Sequence, residues 1–471
     1  MQKQRRRYGC SVVLVVSIII LSVNSSGEAR QQQVPSTPMS IAQAVESALR
    51  NYPSISVSQE QLNAAAAGID LARTAYLPRV DSLVQVNRAT RNNVFGLLFP
   101  QGVIPSISGP VLGTNNFGSV WGSAVGGLVT WEPFDFGLRR ASVAAAAASK
   151  TRSEATLKRT QFDVAAAAAD AYLTLAAAQE TVRAAQAGVD RGEVLVRSVR
   201  ALVDAQLRPG AELSRAEAEL AAAQTQVARA QQATEVARAV LAQFVGGDPR
   251  QISLVAPKLL QLPPDQTTPP LNTTANPMAV EQNAAVEQAK AQREVLDKSY
   301  FPRFFAQGSG YARGSGARID GIRLRGANGL APDVQNYAIG FSVTFPIFDL
   351  PSIRAKQAGQ SATVRAETAR YQQVTTDLTA TWNEATAILD GSRKIAADTP
   401  IQVAAANAAT QQATARYQSG LGNVIDVADA QRLLTQAEID DALARLGVWR
   451  AILGIAIAAG DIQPFLNEAG Q

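Results

Sequence analysis

The sequence predicts a mainly α-helical chain that carries four membrane-type β-strands and is built as two copies of one plan. Three observations predict it. An internal repeat keeps a nearly constant offset. Proline-poor runs of Ala, Gln, Glu and Arg are long enough for helices of about 100 Å. Between them lie paired segments in which apolar and polar residues alternate.

The repeat comes first because it sets the domain plan. Pro53 stands 25 residues before Pro78 in Tyr76-Leu77-Pro78-Arg79, and Pro277 stands 25 before Pro302 in Tyr300-Phe301-Pro302-Arg303. From Val129-Thr130-Trp131-Glu132-Pro133-Phe134-Asp135 against Val343-Thr344-Phe345-Pro346-Ile347-Phe348-Asp349 the offset is 214, and it holds through Arg140 and Arg354, Leu207 and Leu421, and Leu220 and Leu434. The first repeat covers 38–245, with a helix over 40–75, strands 80–91 and 117–131, a long helix 141–206 and a helix 211–245. A Pro- and Thr-rich crossover, 246–276, joins the repeats and wraps the waist. The second repeat covers 277–460, with a helix over 277–299, strands 304–313 and 337–345, and helices 354–418 and 424–459. A tail, 461–471, follows.

Each boundary has a local cause. Pro78 and Pro302 end the opening helices, because the residue before a proline is driven out of the helical region. Tyr337 to Phe345 alternates bulky apolar residues with small or polar ones, as a strand with one face in lipid does. A half-buried soluble sheet has the same period of two. The loops 92–116 and 314–336 are long and carry Gly and Pro. Arg208-Pro209-Gly210 and Ser419-Gly420-Leu421-Gly422-Asn423 turn the chain between long and returning helices, and Pro400 predicts a kink. The helices 40–75 and 211–245 together make about 105 Å, the length of the long helix beside them.

Composition excludes much. Lys3, Arg5, Arg6 and Arg7 precede an apolar run from Ser11 to Val23, which reads as a signal peptide over 1–29. Its loss takes four basic residues and one acidic residue and lowers the formal charge from +5 to +2, so the charge implies no nucleic acid. Cys10 is the one cysteine and there is no histidine. This excludes a disulfide framework, Cys/His metal sites and Ser-His or Cys-His nucleophiles. No catalytic residue, metal or cofactor is expected. Past the signal no run of about 20 apolar residues is evident, so a bilayer could be crossed only by a closed β-barrel. Four strands cannot close one. Two copies give eight strands and a filled interior; three give twelve and room for a channel.

These features resemble the TolC family of outer-membrane efflux and secretion channels. The resemblance runs over 38–460 and is carried by Met39-Ser40-Ile41-Ala42-Gln43-Ala44-Val45, the two Tyr-Leu/Phe-Pro landmarks, Pro133-Phe134-Asp135-Phe136-Gly137 with its second copy, and the stretch from Tyr417 to Gln431. It implies a homotrimer whose protomers share a twelve-stranded β-barrel in outer-membrane lipid, continuous with a periplasmic α-helical barrel. It also implies work as a passive conduit with a periplasmic adaptor (a membrane fusion protein) and an inner-membrane pump. The pump class and the cargo stay open. An elongated periplasmic coiled-coil scaffold without a pore is the other reading.

The resemblance also implies site residues. Asp426 and Asp429, one turn apart, match the acids that ring the periplasmic entrance; acids there also suit a helix N-terminus without further role. A tip lock would join Tyr417 to Glu212, the counterpart of Asp426 in the first repeat. The lock's usual basic residue falls at Gly422, and Arg215 could pair with acids of the mouth. The turns Leu207, Arg208, Pro209, Gly210 and Gly420, Leu421, Gly422, Asn423 match the adaptor-contacting tips.

Overall fold

The computed structural model describes residues 38–90, 118–255, 258–264, 270–317, 324 and 326–470. The expected signal segment, the loop 92–116 and Phe117 lie outside the described residues, as do parts of the loop 314–336 and of the crossover.

Helix α1 (Ile41–Asn51) begins at a reciprocal cap. The Ser40 side chain accepts the Gln43 backbone N–H, and the Gln43 side chain accepts the Ser40 N–H. Pro53 opens α2 (Pro53–Thr74) and holds Tyr52 extended, with ψ 123°. The single helix expected over 40–75 is therefore two, broken at Tyr52.

Strands β1 (Arg79–Thr90), β2 (Ser119–Phe134), β3 (Arg303–Ser315) and β4 (Val334–Thr344) form one antiparallel sheet in the order β1-β2-β3-β4. Below it run α3 (Leu138–Asp204, 67 residues) and α6 (Leu350–Gln418, 69 residues), each about 100 Å long. Helices α4 (Gly210–Val245) and α7 (Val424–Ala459) return from the two turns, each with 36 residues. Helix α5 (Pro277–Lys298) leads into β3. Near the sheet the helices pack in the order α2–α3–α5–α6, and towards the turns in the order α4–α3–α7–α6. One long helix thus spans the height that two shorter ones share. Helix α6 continues through Pro400, beside which buried Thr399 donates to Asp441 Oδ1 at 2.9 Å.

The largest core lies at mid-height, where α1, α3, α4 and α7 meet. The Tyr172 hydroxyl lies 2.9 Å from the Met39 carbonyl and 2.8 Å from that of Val255, beside a parallel bridge between Met39 and Leu254. Trp449 is fully buried and its indole N–H donates to the Gln261 carbonyl at 2.9 Å, so described parts of the crossover are tied to this core. The tail forms a helix as well, α8 (Gln463–Ala469), which packs against α1 and α7. Its Phe465 is buried edge-on to Trp449, with ring centroids 6.4 Å apart.

Helix α7 departs from expectation. It is long and apolar enough to cross a membrane, with a mean hydropathy of 1.6 over its most apolar window. Its side chains account for this otherwise: Val448, Trp449, Leu453, Ile455 and Ala458 are buried against neighbouring helices. A helix packed on several sides in a core needs apolar residues around much of its circumference.

Candidate functional site

Three places carry the chemistry: the sheet, the junction beneath it and the tip. The strand register sorts the sheet's side chains into two unlike faces. Val80, Val84 and Val86 align with Val129, Val125 and Ser123. Across β3, which offers Phe304 and then the small residues Ala306, Gly308, Gly310 and Ala312, the same face continues to Val343, Phe341, Ile339 and Tyr337. The opposite face holds Asp81, Gln85, Asn87, Thr130, Gln307, Ser309, Asn336, Ser342 and Thr344, with Leu83, Leu128, Phe305 and Tyr311 among them. The apolar face is uncovered, with Tyr337 at 84% and Ile339 at 86% exposure. Strands β1 and β4 each pair on one side only, so the sheet has two open edges.

Beneath the sheet a β-bulge between Trp131 and Phe134 ends the ladder. Phe136 (φ 51°) and Gly137 (φ 92°) then turn the chain into α3 through left-handed conformations. The Asp135 carboxylate fixes this turn. It accepts the Gly137 N–H at 3.1 Å, the Arg139 N–H at 2.6 Å and the Arg139 Nε–H at 2.9 Å. The Arg139 guanidinium lies 4.7 Å from the Tyr76 ring centroid, and both members of the pair are buried. Burial pushes the Asp135 pKa up, but the Arg139 and Gly137 bonds and the Arg139 charge outweigh it, so the carboxyl is held below its ordinary value. On the other copy of the landmark, Asp349 caps α6 without a side-chain bond, and Ile353 stands where Arg139 would.

At the tip the two turns meet. The Tyr417 hydroxyl donates to Glu212 Oε2 at 3.0 Å, and the Tyr417 ring is buried over Leu195, Val199, Ala216 and Val427. The Arg208 guanidinium lies 4.8 Å from that ring's centroid. It donates to the carbonyls of Tyr417 at 3.2 Å and Gly422 at 3.4 Å, and stands 3.6 Å from Glu212. Burial, with the Glu212 hydrogen bond and charge, pushes the Tyr417 pKa up to about 12 against the pull of Arg208, so the phenol stays a donor.

The remaining predicted residues are placed as follows. Asp426 and Asp429 are exposed on the first turns of α7. The Asp426 backbone N–H donates to Asn423 Oδ1 at 3.0 Å and its carboxylate receives the Asn423 N–H at 3.4 Å, so it takes part in a helix cap. Asp429 pairs with Arg432 at 2.9 Å, and Arg215 pairs with Glu219 of its own helix at 3.0 Å. Leu207 and Leu421 are exposed at the two turns, beside Pro209, Gly210 and Gly420. Among the described residues no cluster suited to a metal ion occurs.

Arg208 is the residue that sequence reasoning placed only as a tip-surface residue. Its signal was present: it lies 214 before Gly422 (422−208), so the basic group stands at the equivalent position of the other repeat. Asp135 stood in the repeated landmark, but nothing marked Arg139 as its partner, because only the folded turn brings Tyr76 and Ala75 against Arg139.

An uncovered sheet with one mostly apolar face, set on helices about 100 Å long, is the form expected of an outer-membrane channel subunit. The model for the outer membrane efflux protein family matches residues 44–247 and 274–460, and the chain belongs to that family. Among solved structures, the outer-membrane channel OprN is 24% identical at a TM-score of 0.70, with 89% of each chain covered. The Campylobacter jejuni CmeC channel is 16% identical at 0.72, covering 89% of this chain and 85% of that one. The Neisseria gonorrhoeae MtrE channel, described in an open state, is 21% identical at 0.70, with 89% of each covered. These likenesses establish a shared fold. No match to a curated protein was found.

Proposed function

We propose that three copies of the chain close a twelve-stranded barrel in outer-membrane lipid, above a helical tube that crosses the periplasm. The assembly is a passive conduit for efflux or type I secretion, opened at its tip by an adaptor, which contacts the turns at 207–210 and 420–423, and a pump. One observation carries this reading. The sheet presents an uncovered apolar face and open edges at β1 and β4, and unpaired backbone is not tolerated in lipid, so other copies must complete it. The matched lengths of α3 and α6, and of α4 and α7, support a duplicated plan. In the closed state Tyr417, Glu212 and Arg208 hold the two tip turns together, with Arg208 in the place that a basic residue at 422 would serve. Asp426 and Asp429, repeated three times, make the entrance electronegative.

The purified protein is expected to stay with membranes until detergent is added, and to give cation-selective conductance in planar bilayers. Asp426→Asn with Asp429→Asn, which keeps the capping acceptor at 426, moves the cation-to-anion permeability ratio towards one. An unaltered ratio removes the acidic-entrance role. Release from membranes without detergent would leave the coiled-coil scaffold instead.

A further inference from the structure

We infer that the α6–α7 arm bends at one layer, formed by Thr399, Pro400 and Asp441, when the tip opens, while the α3–α4 arm keeps its shape. This rests on the conduit reading above and adds the place at which the conduit moves.

The two arms share one plan and differ at this layer. Helix α6 meets α7 along a seam of buried residues, Leu389, Ala396, Thr399, Ala406, Thr410 and Tyr417, with the spacing of a coiled coil. Above the layer Leu389 and Ala396 pack with Val448, Ala451 and Ile455; below it Ala406 packs with Leu434 and Ala437. Between these apolar clusters stand Thr399 and Asp441, 3% and 7% exposed and joined by their 2.9 Å bond. The first repeat is apolar at the same place. Ala185 (399−214) and Val227 (441−214) are buried in one cluster with Val189, and Gln186 (400−214) stands where Pro400 would.

This difference weakens one arm and not the other. Proline cannot donate to the carbonyl four residues back, which here belongs to buried Ala396, and sharp bends in helices gather at prolines. A polar layer in a coiled-coil seam also costs stability relative to an apolar one. Resistance to bending is therefore lowest at Pro400.

Helix α7 is held at this height from two sides. Arg445 bonds Asp441 Oδ2 and donates to the Leu260 carbonyl of the crossover at 3.3 Å. Arg191 of α3 donates to the two Glu438 oxygens at 3.1 Å and 2.7 Å and to Thr435 at 2.8 Å. A Cβ at Gly188 would stand 2.7 Å from Thr435 Oγ1, so the helices approach here as closely as glycine allows. Nearer the tip the packing loosens. A cavity of about 110 Å³, lined by Gly192, Leu220, Ala428 and Gln431, lies where α7 meets α3 and α4. Thr399 is 19 residues above the lower end of α6 (418−399), which gives an arm of about 28 Å. A bend of about 20° at its top carries the turn by about 10 Å.

The test installs the first repeat's residues in the second, as Thr399→Ala, Pro400→Gln and Asp441→Val together. Pro400→Ala alone, at an exposed position, should give part of the same effect. Spin labels at Leu207→Cys and Leu421→Cys, in a Cys10→Ser background, report the separation of the two tip turns in detergent. With the clasp removed by Arg208→Ala and Tyr417→Phe, the separation should grow by about 10 Å. With the three first-repeat residues added it should stay near the wild-type value, and the open probability in bilayers should return to the wild-type level. A separation that does not grow when the clasp is lost, or that grows as much with the three changes as without them, overturns the hinge. Growth that the three changes block, in a protein that carries no current, keeps the hinge and removes the conduit reading.

Discussion

Replacing Arg208 with alanine is expected to raise the open probability of the channel in planar bilayers on the order of tenfold or more. A guanidinium over an aromatic ring contributes about 0.5–2 kcal/mol, and a hydrogen bond from a charged donor about 1.5–3 kcal/mol. Arg208 supplies both to the contact between the two tip turns, and its side chain is only 20% exposed, so solvent screens little of it. Arg208→Lys keeps the charge and loses the planar fork, and should fall between wild type and alanine. Tyr417→Phe keeps the ring beneath the guanidinium and deletes only the bond to Glu212. Its effect should be smaller than that of Arg208→Ala. If both variants conduct as wild type does, the tip is held elsewhere and the clasp is wrong.

Loss of Arg139 is expected to be the most damaging single change to stability. Removing one partner of a buried ion pair costs about 3–5 kcal/mol, because the other charge is left without compensation, and here the orphan would be Asp135 inside the turn that joins β2 to α3. Arg139→Ala should lower the denaturant midpoint of the detergent-solubilised protein. Asp135→Asn with Arg139→Ala should cost less than the two single changes added. The pH dependence has a definite sign. The folded pKa of Asp135 lies below its ordinary value, so the native state binds fewer protons there than the unfolded chain. This stabilisation is complete above about pH 4 and fades as the pH falls through the depressed value. In Asp135→Asn the midpoint should vary less over that acid range; an unchanged acid profile would show that the carboxylate contributes nothing to it.

What could be read from the residues depended on whether the signal was local. Tyr337 to Phe345 announced a strand through its period of two; the constant offset of 214 paired Glu212 with Asp426, and the family resemblance, not the offset, implied that Glu212 meets Tyr417. The break at Tyr52 was legible in principle, since Pro53 dictates it, yet the helical composition on both sides masked it. Helix α8 was not legible. Seven residues are too few for a helical period, and Phe465 is buried only because Trp449 and α1 are there to cover it. The contacts of Arg208 were not foreseen for a different reason: Tyr417 and Gly422 lie in the other repeat, more than 200 residues away.

Ile41, Ala44 and Ala48 at the start of the described chain pack in the same core as Ile462, Phe465 and Leu466 at its end. That core stays incomplete until the last segment arrives. During synthesis and export the amino-terminal helix therefore has no finished site to occupy, and contacts of such long sequence separation form slowly. A carboxy-terminal truncation that removes α8 would strip this closing piece, leaving a nearly full-length polypeptide that keeps every strand yet lacks the keystone of its waist.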